Sequence, residues 1–166
     1  MRSSPDAFRR ALGQFATGVT VVTTRTADGR PLGLTVSSFS SVSLDPPLVL
    51  VCVDARSETN PGFRSSGVFG VSILAEGQQA WSRRFASGGA GKFDGVEMMT
   101  GKLGLPLVPG ALAYLECRVN GAYEAGDHVI YVGEVLDLSA NPGRPLLYHG
   151  SAYGGLAADE CSGDGR

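Results

Sequence analysis

Short apolar runs separated by turn residues divide this chain into many strands and a few helices. Residues 18–24 are β-branched almost throughout, and the Asp28-Gly29 pair that follows is typical of a hairpin turn. The segment that begins at Gly33 is therefore predicted to be the returning strand, up to a turn at Asp45-Pro46-Pro47. Further strands are predicted over residues 48–53, 68–74, 111–123, 128–138 and 145–149.

Three helices are predicted between these strands. Phe8, Leu12 and Phe15 recur at helical spacing, so residues 6–15 form a short amphipathic helix with Asp6 as its cap. A second helix begins near residue 57 with Ser or Asn as its cap and ends at Gly67, and a third spans residues 76–85. Because strands and helices do not alternate, we predict a mainly β protein, an antiparallel barrel with helical caps.

Composition favours one domain, which we place at residues 1–156 with a polar tail over 157–166. The chain has 166 residues, of which 43% are apolar and 18% charged, enough to bury one continuous core. No apolar run approaches the length of a membrane helix or a signal peptide, so a cytoplasmic protein is expected, without membrane partners. A net charge of -2 argues against general nucleic-acid binding.

The familiar catalytic motifs are missing from this sequence. No GxGxxG follows a strand, and the P-loop-like segment 88–92 has Ala86 and Phe93 where Gly and Ser or Thr are needed. No GxSxG or HExxH motif and no Cys/His cluster with metal spacing occurs, so no metal site is predicted. Three cysteines without a CxxC pair indicate reduced thiols. Any catalysis is therefore expected to depend on an organic cofactor.

The strand beginning at Gly33 carries Thr35 and a run of serines where a core strand would carry methyl groups. An unpaired buried polar group costs roughly 1–3 kcal/mol, so these hydroxyls need partners. One interpretation is a ligand with many donors and acceptors along one edge. The alternative is an edge strand or loop that is open to water.

Five separated motifs occur in one order along the chain. They are Phe15-Ala-Thr-Gly-Val-Thr-Val-Val, the serine-rich strand running into Ser43-Leu-Asp-Pro-Pro-Leu-Val-Leu, Lys92-Phe93, Gly126-Asp-His128 and Pro145-Leu-Leu-Tyr-His-Gly150. Together they resemble the flavin reductase family with the FMN-binding split barrel, over roughly residues 6–156. The resemblance implies a six-stranded antiparallel split β-barrel with short flanking helices, present as a homodimer.

The resemblance also implies an activity. Members of this family use NADH or NADPH to reduce a flavin, and the reduced flavin diffuses to a separate monooxygenase. FMN is the default flavin, with FAD and riboflavin as alternatives, the adenylate half of FAD projecting into solvent. Two other functions stay open at this point: a flavin-storage protein without reductase activity, and an oxidase or oxygenase that retains its flavin and acts on an organic substrate.

The family pattern assigns site residues to matching positions only. Those expected at the flavin ring are Thr35, Val36, Ser37, Ser38, Phe39, Ser41 and Val42. Those expected at the ribityl chain and phosphate are Cys52, Val53, Asp54, Ser57, Thr59, Lys92 and Phe93. His128 is expected to act in catalysis beside the nicotinamide, with His149 and Tyr153 as further nucleotide contacts.

Plainer interpretations exist for the most chemically suggestive of these residues. Ser57 and Thr59 are also suited to cap the following helix. Lys92 in a Gly-rich loop is also consistent with a solvated surface charge. His128 is also consistent with a turn histidine that is hydrogen-bonded to Asp127.

Overall fold

The computed structural model describes residues 4–89 and 91–157. Most of this part is strand, and every strand pair is antiparallel, which confirms the predicted class. The helices are α1 (Pro5–Leu12), α2 (Asn60–Ser66) and α3 (Gln79–Ala86). The strands are β1 (Thr17–Gly18), β2 (Thr20–Arg25), β3 (Pro31–Val36), β4 (Ser40–Leu44), β5 (Pro47–Asp54), β6 (Val68–Ile73), β7 (Met99–Thr100), β8 (Pro106–Leu107), β9 (Ala113–Ala125), β10 (His128–Ala140), β11 (Leu147–His149) and β12 (Ala152–Gly154).

Two sequence-based predictions fall partly or wholly beyond this part of the chain. The polar tail predicted from residue 157 and the third cysteine, Cys161, lie outside the described residues, Ala157 excepted. Among the described residues, Cys52 and Cys117 are free thiols, as expected. Burial raises the pKa of the Cys117 thiol to about 12, so it stays protonated and unreactive at neutral pH. None of the described helices combines the length and apolar character needed to cross a membrane.

The main sheet has seven strands in the order β3-β2-β6-β9-β10-β5-β4, rather than the six expected. The additional strand comes from the serine-rich segment, which breaks after Val36 and resumes as edge strand β4, paired with β5. Within the described residues, no backbone ladder joins β3 to the far edge of the sheet. The side chain of Ser38, which follows β3, contacts β5 instead: its Oγ accepts from Cys52 N and donates to Cys52 O, both at 3.2 Å.

An apolar core fills the interior of this curved sheet. Alternate residues of β5 point inward, and the rings of Phe63, Phe69 and Tyr131 are fully buried against them. The Phe63 and Tyr131 rings stack with centroids 4.5 Å apart. A Cβ on Gly133 would lie 2.3 Å from the Phe69 ring, so this close approach of ring and strand requires glycine.

A second apolar cluster lies under α3. Phe85 from the helix packs with Val21 of β2 and with Leu74 and Leu146, and Phe93 joins from the following loop. The small sheet β1-β11-β12 borders this cluster through Tyr153. As a result, the end of α3 and the loop after it are held against β3, which is where the candidate site forms.

Several predicted boundaries are wrong for local reasons. Helix α1 starts at Pro5, because Ser4 Oγ accepts from Ala7 N and acts as the cap in place of Asp6, and it ends at Leu12 with Gly13 as its C-cap. Helix α3 starts at Gln79 rather than residue 76, since the Gln78 side chain bonds Ala75 N and Pro109 O. The last predicted strand is shortened to Leu147–His149.

A candidate flavin-binding cleft

A cleft of about 540 Å³ opens between β3, the end of β5 and the loop after α3. This volume lies within the range usual for small-molecule sites. Five of the residues predicted from the family pattern line it: Thr35, Asp54, Ser57, Thr59 and Lys92. Residues that the sequence analysis did not select also line it, among them Arg56, Glu58 and Ser87.

Lys92 is the cation at the inner side of this cleft. Its ammonium donates to Gly33 O at 3.0 Å and to Phe85 O at 3.2 Å, which leaves one of its three N–H groups for a ligand. The side chain is half-buried, and this burial lowers the pKa of Lys92, while the charge of Glu58 partly opposes the shift. The interpretation of Lys92 as a solvated surface charge is therefore wrong.

The loop that carries Lys92 is fixed from α3. Arg84 donates from Nε to Lys92 O at 2.7 Å and from Nη2 to Asp94 O at 2.5 Å. Phe93 meets the Phe85 ring edge-on, with centroids 5.1 Å apart. Because these contacts fix both the backbone and the aromatic neighbour, Lys92 approaches the cleft from a preorganised position.

Thr59 and Ser57 line the same cleft as Lys92. The Thr59 side chain is buried, and its hydroxyl is 3.5 Å from Gly33 O, the carbonyl that Lys92 also binds. Thr59 is the N-cap residue of α2, yet it makes no side-chain capping bond, while Ser57 Oγ accepts from Thr59 N at 3.3 Å. The predicted capping by Ser57 or Asn60 is thus wrong for α2.

The other end of the cleft carries a group of opposite charges. Arg56 donates to the Asp54 carboxylate from its backbone N at 2.7 Å and from Nη2 at 3.3 Å. These hydrogen bonds lower the pKa of Asp54, and the charge of His128, which faces Asp54 across the β5–β10 ladder, adds to the effect. The carboxylate is therefore ionised near neutral pH.

His128 lies next to the cleft rather than in its lining. Its Nδ1 is 2.7 Å from Asp127 Oδ1, which is the geometry of the plainer interpretation, and this bond lowers the pKa of Asp127. Asp127 O in turn accepts from Ala55 N at 3.0 Å, so the turn is tied to the end of β5. Nε2 of His128 has no hydrogen-bond partner among the described residues. The hydrogen bond between Nδ1 and Asp127 therefore orients the imidazole ring and leaves Nε2 available for a ligand.

The remaining predicted flavin contacts are not part of the cleft lining. Val36 and Val53 are buried in the core, so only their backbone groups can face a ligand. The other predicted contacts lie on or next to β4 and β5, outside the cleft lining. Ser37 is exposed, Ser38 and Cys52 bond each other, Phe39 packs against the core, and Ser41 and Val42 are exposed on edge strand β4.

His149 and Tyr153 lie on the small sheet, on the far side of α3. Tyr153 Oη is 2.9 Å from Ser82 Oγ, and Ser82 O accepts from Thr35 Oγ1 at 2.6 Å. Ser82 is buried, and its two hydrogen bonds connect β3 to β12. His149 is exposed and pairs with Ala152.

Sequence reasoning missed several residues of this region, among them Arg56, Glu58, Ser82 and Arg84. Arg56 and Glu58 flank Ser57 directly after a strand, so their position along the chain could have suggested them. Ser82 and Arg84 had no such signal, because only the fold brings the Ser82 carbonyl to the Thr35 hydroxyl and the Arg84 side chain to the Lys92 carbonyl.

Comparisons with known proteins place this geometry in context. The family model described as the flavin reductase like domain matches residues 12–157. The FMN reductase (NADH) SmoA of Agrobacterium fabrum is 47% identical over 147 residues, covering 89% of this chain and 83% of the relative. The flavin-dependent monooxygenase reductase subunit HsaB of Rhodococcus jostii is 41% identical, covering 94% of this chain and 80% of the relative.

Solved structures agree with the sequence matches. A nitrilotriacetate monooxygenase component B homologue from Mycobacterium thermoresistibile superposes with a TM-score of 0.90 at 40% identity, covering 97% of this chain and 91% of that one. The Streptomyces globisporus NADH:FAD oxidoreductase SgcE6, in complex with NAD and FAD fragments, gives a TM-score of 0.88 at 39% identity, covering 96% and 99%. The chain therefore belongs to the flavin reductase family.

Proposed function

We propose that this protein is an NADH-dependent flavin reductase that passes hydride to FMN and releases the reduced flavin to a separate monooxygenase. FAD and riboflavin are alternative flavins, and NADPH is the alternative donor. The observation that carries the proposal is the cleft with the half-buried ammonium of Lys92, in a chain 47% identical to an enzyme named FMN reductase (NADH).

The cleft residues fit a flavin mononucleotide. Lys92, with Ser57 and the buried Thr59 hydroxyl, supplies an ammonium and two hydroxyls suited to the phosphate, with the Glu58 carboxylate in the same lining. Thr35 and the backbone from Val36 towards Val42 are assigned to the ring, and Cys52–Asp54 to the ribityl side. When bound, the flavin supplies the hydride acceptor, while the protein supplies position and polar contacts.

Release of the reduced flavin is consistent with how exposed the cleft is. Arg56, Glu58 and Ser87 on its walls are all exposed, so the bound molecule leaves without moving a core element. His128 is assigned to orient the nicotinamide beside the flavin, with Nδ1 held by Asp127. His149 and Tyr153 are assigned as further nucleotide contacts.

The lowered pKa of Lys92 predicts an alkaline loss of FMN affinity. The ammonium binds phosphate only when protonated, and it loses its proton at a lower pH than an ordinary lysine, whose pKa is about 10.4. The ratio of FMN to riboflavin affinity should therefore be constant near pH 7.5 and fall as the pH rises through the lowered value. Calorimetric titrations between pH 7.5 and 10.5 measure this ratio, in which changes in the shared ring cancel; a constant ratio would contradict the assignment.

A direct assay tests the function. Purified protein is mixed with NADH or NADPH and each flavin, and the loss of nicotinamide absorbance is followed, with oxygen uptake reporting reoxidation of free flavin. We expect flavin-dependent oxidation of NADH. Flavin binding without oxidation would indicate storage instead. Flavin that survives extensive dialysis, together with turnover of a third compound, would indicate a flavin-retaining oxidase or oxygenase.

We also propose finer features of the fold. Six strands, β3-β2-β6-β9-β10-β5, form the split barrel, with β4 as an added edge; the Ser38–Cys52 bonds between its two ends support this. Residues 1–156 are assigned to one cytoplasmic domain and residues 157–166 to a tail.

A homodimer is the proposed assembly. Edge strand β4 exposes Leu44 almost completely, and the long strands expose Tyr123 and Leu138. Large exposed apolar side chains of this kind favour burial against a second copy of the chain. Sedimentation velocity should give the mass of a dimer, and a monomer at micromolar concentration would refute this assembly.

A further inference from the structure

A second cleft of about 300 Å³ adjoins the one described above. The two clefts share part of their linings, namely Glu58, Thr59, Gly89 and Lys92. Among the described residues at this junction, Lys92 and Glu58 are the two that carry a charge. The cation assigned to the flavin phosphate therefore has a carboxylate in the same wall.

The backbone on both sides of Glu58 is fixed. Ser57 N donates to Asp54 O at 2.9 Å, and Ser57 in turn accepts from Thr59 N at 3.3 Å and from Asn60 N at 3.0 Å. Thr59 and Asn60 are buried where α2 begins. Glu58 therefore stays at the junction of the clefts although its side chain is exposed.

The Glu58 carboxylate is not neutralised by a cation of its own. It takes part in no salt bridge within the described ranges, whereas Asp54, in the same lining, pairs with Arg56 at 3.3 Å. Its charge nevertheless acts on Lys92, whose pKa it raises against the larger effect of burial. Two carboxylates and two cations therefore line the first cleft, and their charges sum to zero.

A lining without net charge has a consequence for a phosphorylated ligand. A phosphate monoester carries between one and two negative charges near pH 7. Lys92 attracts this charge, and Glu58 repels it. An oxidised flavin ring and its ribityl chain are uncharged, so the repulsion acts on the phosphate and not on riboflavin. FMN then gains less affinity over riboflavin than the ammonium alone would give.

We propose that Glu58 is a specificity-determining residue, whose carboxylate weakens the binding of phosphorylated flavins and so keeps the release of FMN fast. The inference rests on the proposed function and identifies a residue that limits how tightly its product is held. A reductase that supplies a separate monooxygenase releases its product in every turnover. A carboxylate beside the phosphate-binding lysine serves this release, which a second cation would slow.

Calorimetric titration of Glu58→Gln with FMN and with riboflavin tests the inference. We expect this variant to bind FMN about three- to tenfold more tightly than the wild type, since an exposed charge pair is worth up to about fivefold and a phosphate carries nearly two charges. Riboflavin affinity should change less than twofold. Glu97→Gln is the matched control, because Glu97 is exposed and lines neither cleft, and it should change neither Kd.

Two further measurements separate charge from shape. The gain in FMN affinity should shrink between about 0.05 and about 0.5 M NaCl, because salt screens exposed charges. Stopped-flow binding of oxidised FMN, and of reduced FMN under anaerobic conditions, should place most of the gain in a slower dissociation rate. A gain that is independent of salt, or that lies wholly in faster association, would contradict the proposed role.

Two outcomes of the titration would overturn the inference. They are an unchanged or weaker affinity of Glu58→Gln for FMN, and an equal change for FMN and riboflavin, which would assign the carboxylate to the ring or the ribityl hydroxyls. Flavin-dependent oxidation of NADH together with either outcome would remove only this inference. A gain for FMN alone, without oxidation of NADH or NADPH in the direct assay, would remove only the reductase function.

Discussion

Replacing Lys92 with alanine should weaken FMN binding by roughly 30- to 100-fold and riboflavin binding by less than twofold. A hydrogen bond from a charged donor to a charged acceptor contributes about 1.5–3 kcal/mol, or about 12- to 150-fold in affinity, and the expected loss lies within these limits. Riboflavin has no phosphate, so it does not use the ammonium. Calorimetry or fluorescence titration with both flavins measures the two constants.

The chain offers a matched control, because Lys102 is its only other lysine. Lys102 pairs with Asp137 at 2.6 Å on an exposed surface, so Lys102→Ala should leave both constants unchanged. Removing Lys92 also leaves Gly33 O and Phe85 O without their donor, so the urea midpoint is measured in parallel. Equal weakening of FMN and riboflavin in a variant that is still folded would refute the phosphate role.

Replacing His128 with alanine should lower kcat by about 30- to 100-fold while the flavin Kd changes less than twofold. The reason is positional: a small displacement of the nicotinamide from its reactive geometry costs about this much in rate. His128 lies beside the cleft lining rather than in it, so we expect flavin binding to be independent of its side chain. Stopped-flow reduction under anaerobic conditions measures the hydride step separately from release.

The neighbouring residues provide two comparison variants. Asp127→Asn keeps an acceptor 2.7 Å from Nδ1 and should lower kcat less than His128→Ala does. His149→Ala tests the other histidine, which is exposed on the small sheet, and should act on the KM for NADH rather than on kcat. Loss of flavin affinity with unchanged kcat in His128→Ala would contradict the proposed place of this residue.

Local patterns were good predictors wherever one physical cause dominated. The β-branched run of β2, the continuous apolar run of β5 and the Gly126 turn between β9 and β10 each predicted the element found, since burial and turn geometry agree there. The serine-rich segment was harder, because its hydroxyls face several environments at once. Thr35 bonds α3, Ser38 bonds the backbone of Cys52 on β5, and Ser41 is exposed on an edge strand.

The sequence by itself determined the mainly β class, the family and the residue types around Lys92, since these depend on periodicity and on motifs in fixed order. Only the tertiary structure decided that Lys92 is half-buried between two carbonyls, that Arg84 fixes its loop and that a second cleft begins beside it. These features join residues from β3, α3 and the following loop. Their burial and contacts depend on distances that no spacing along the chain specifies.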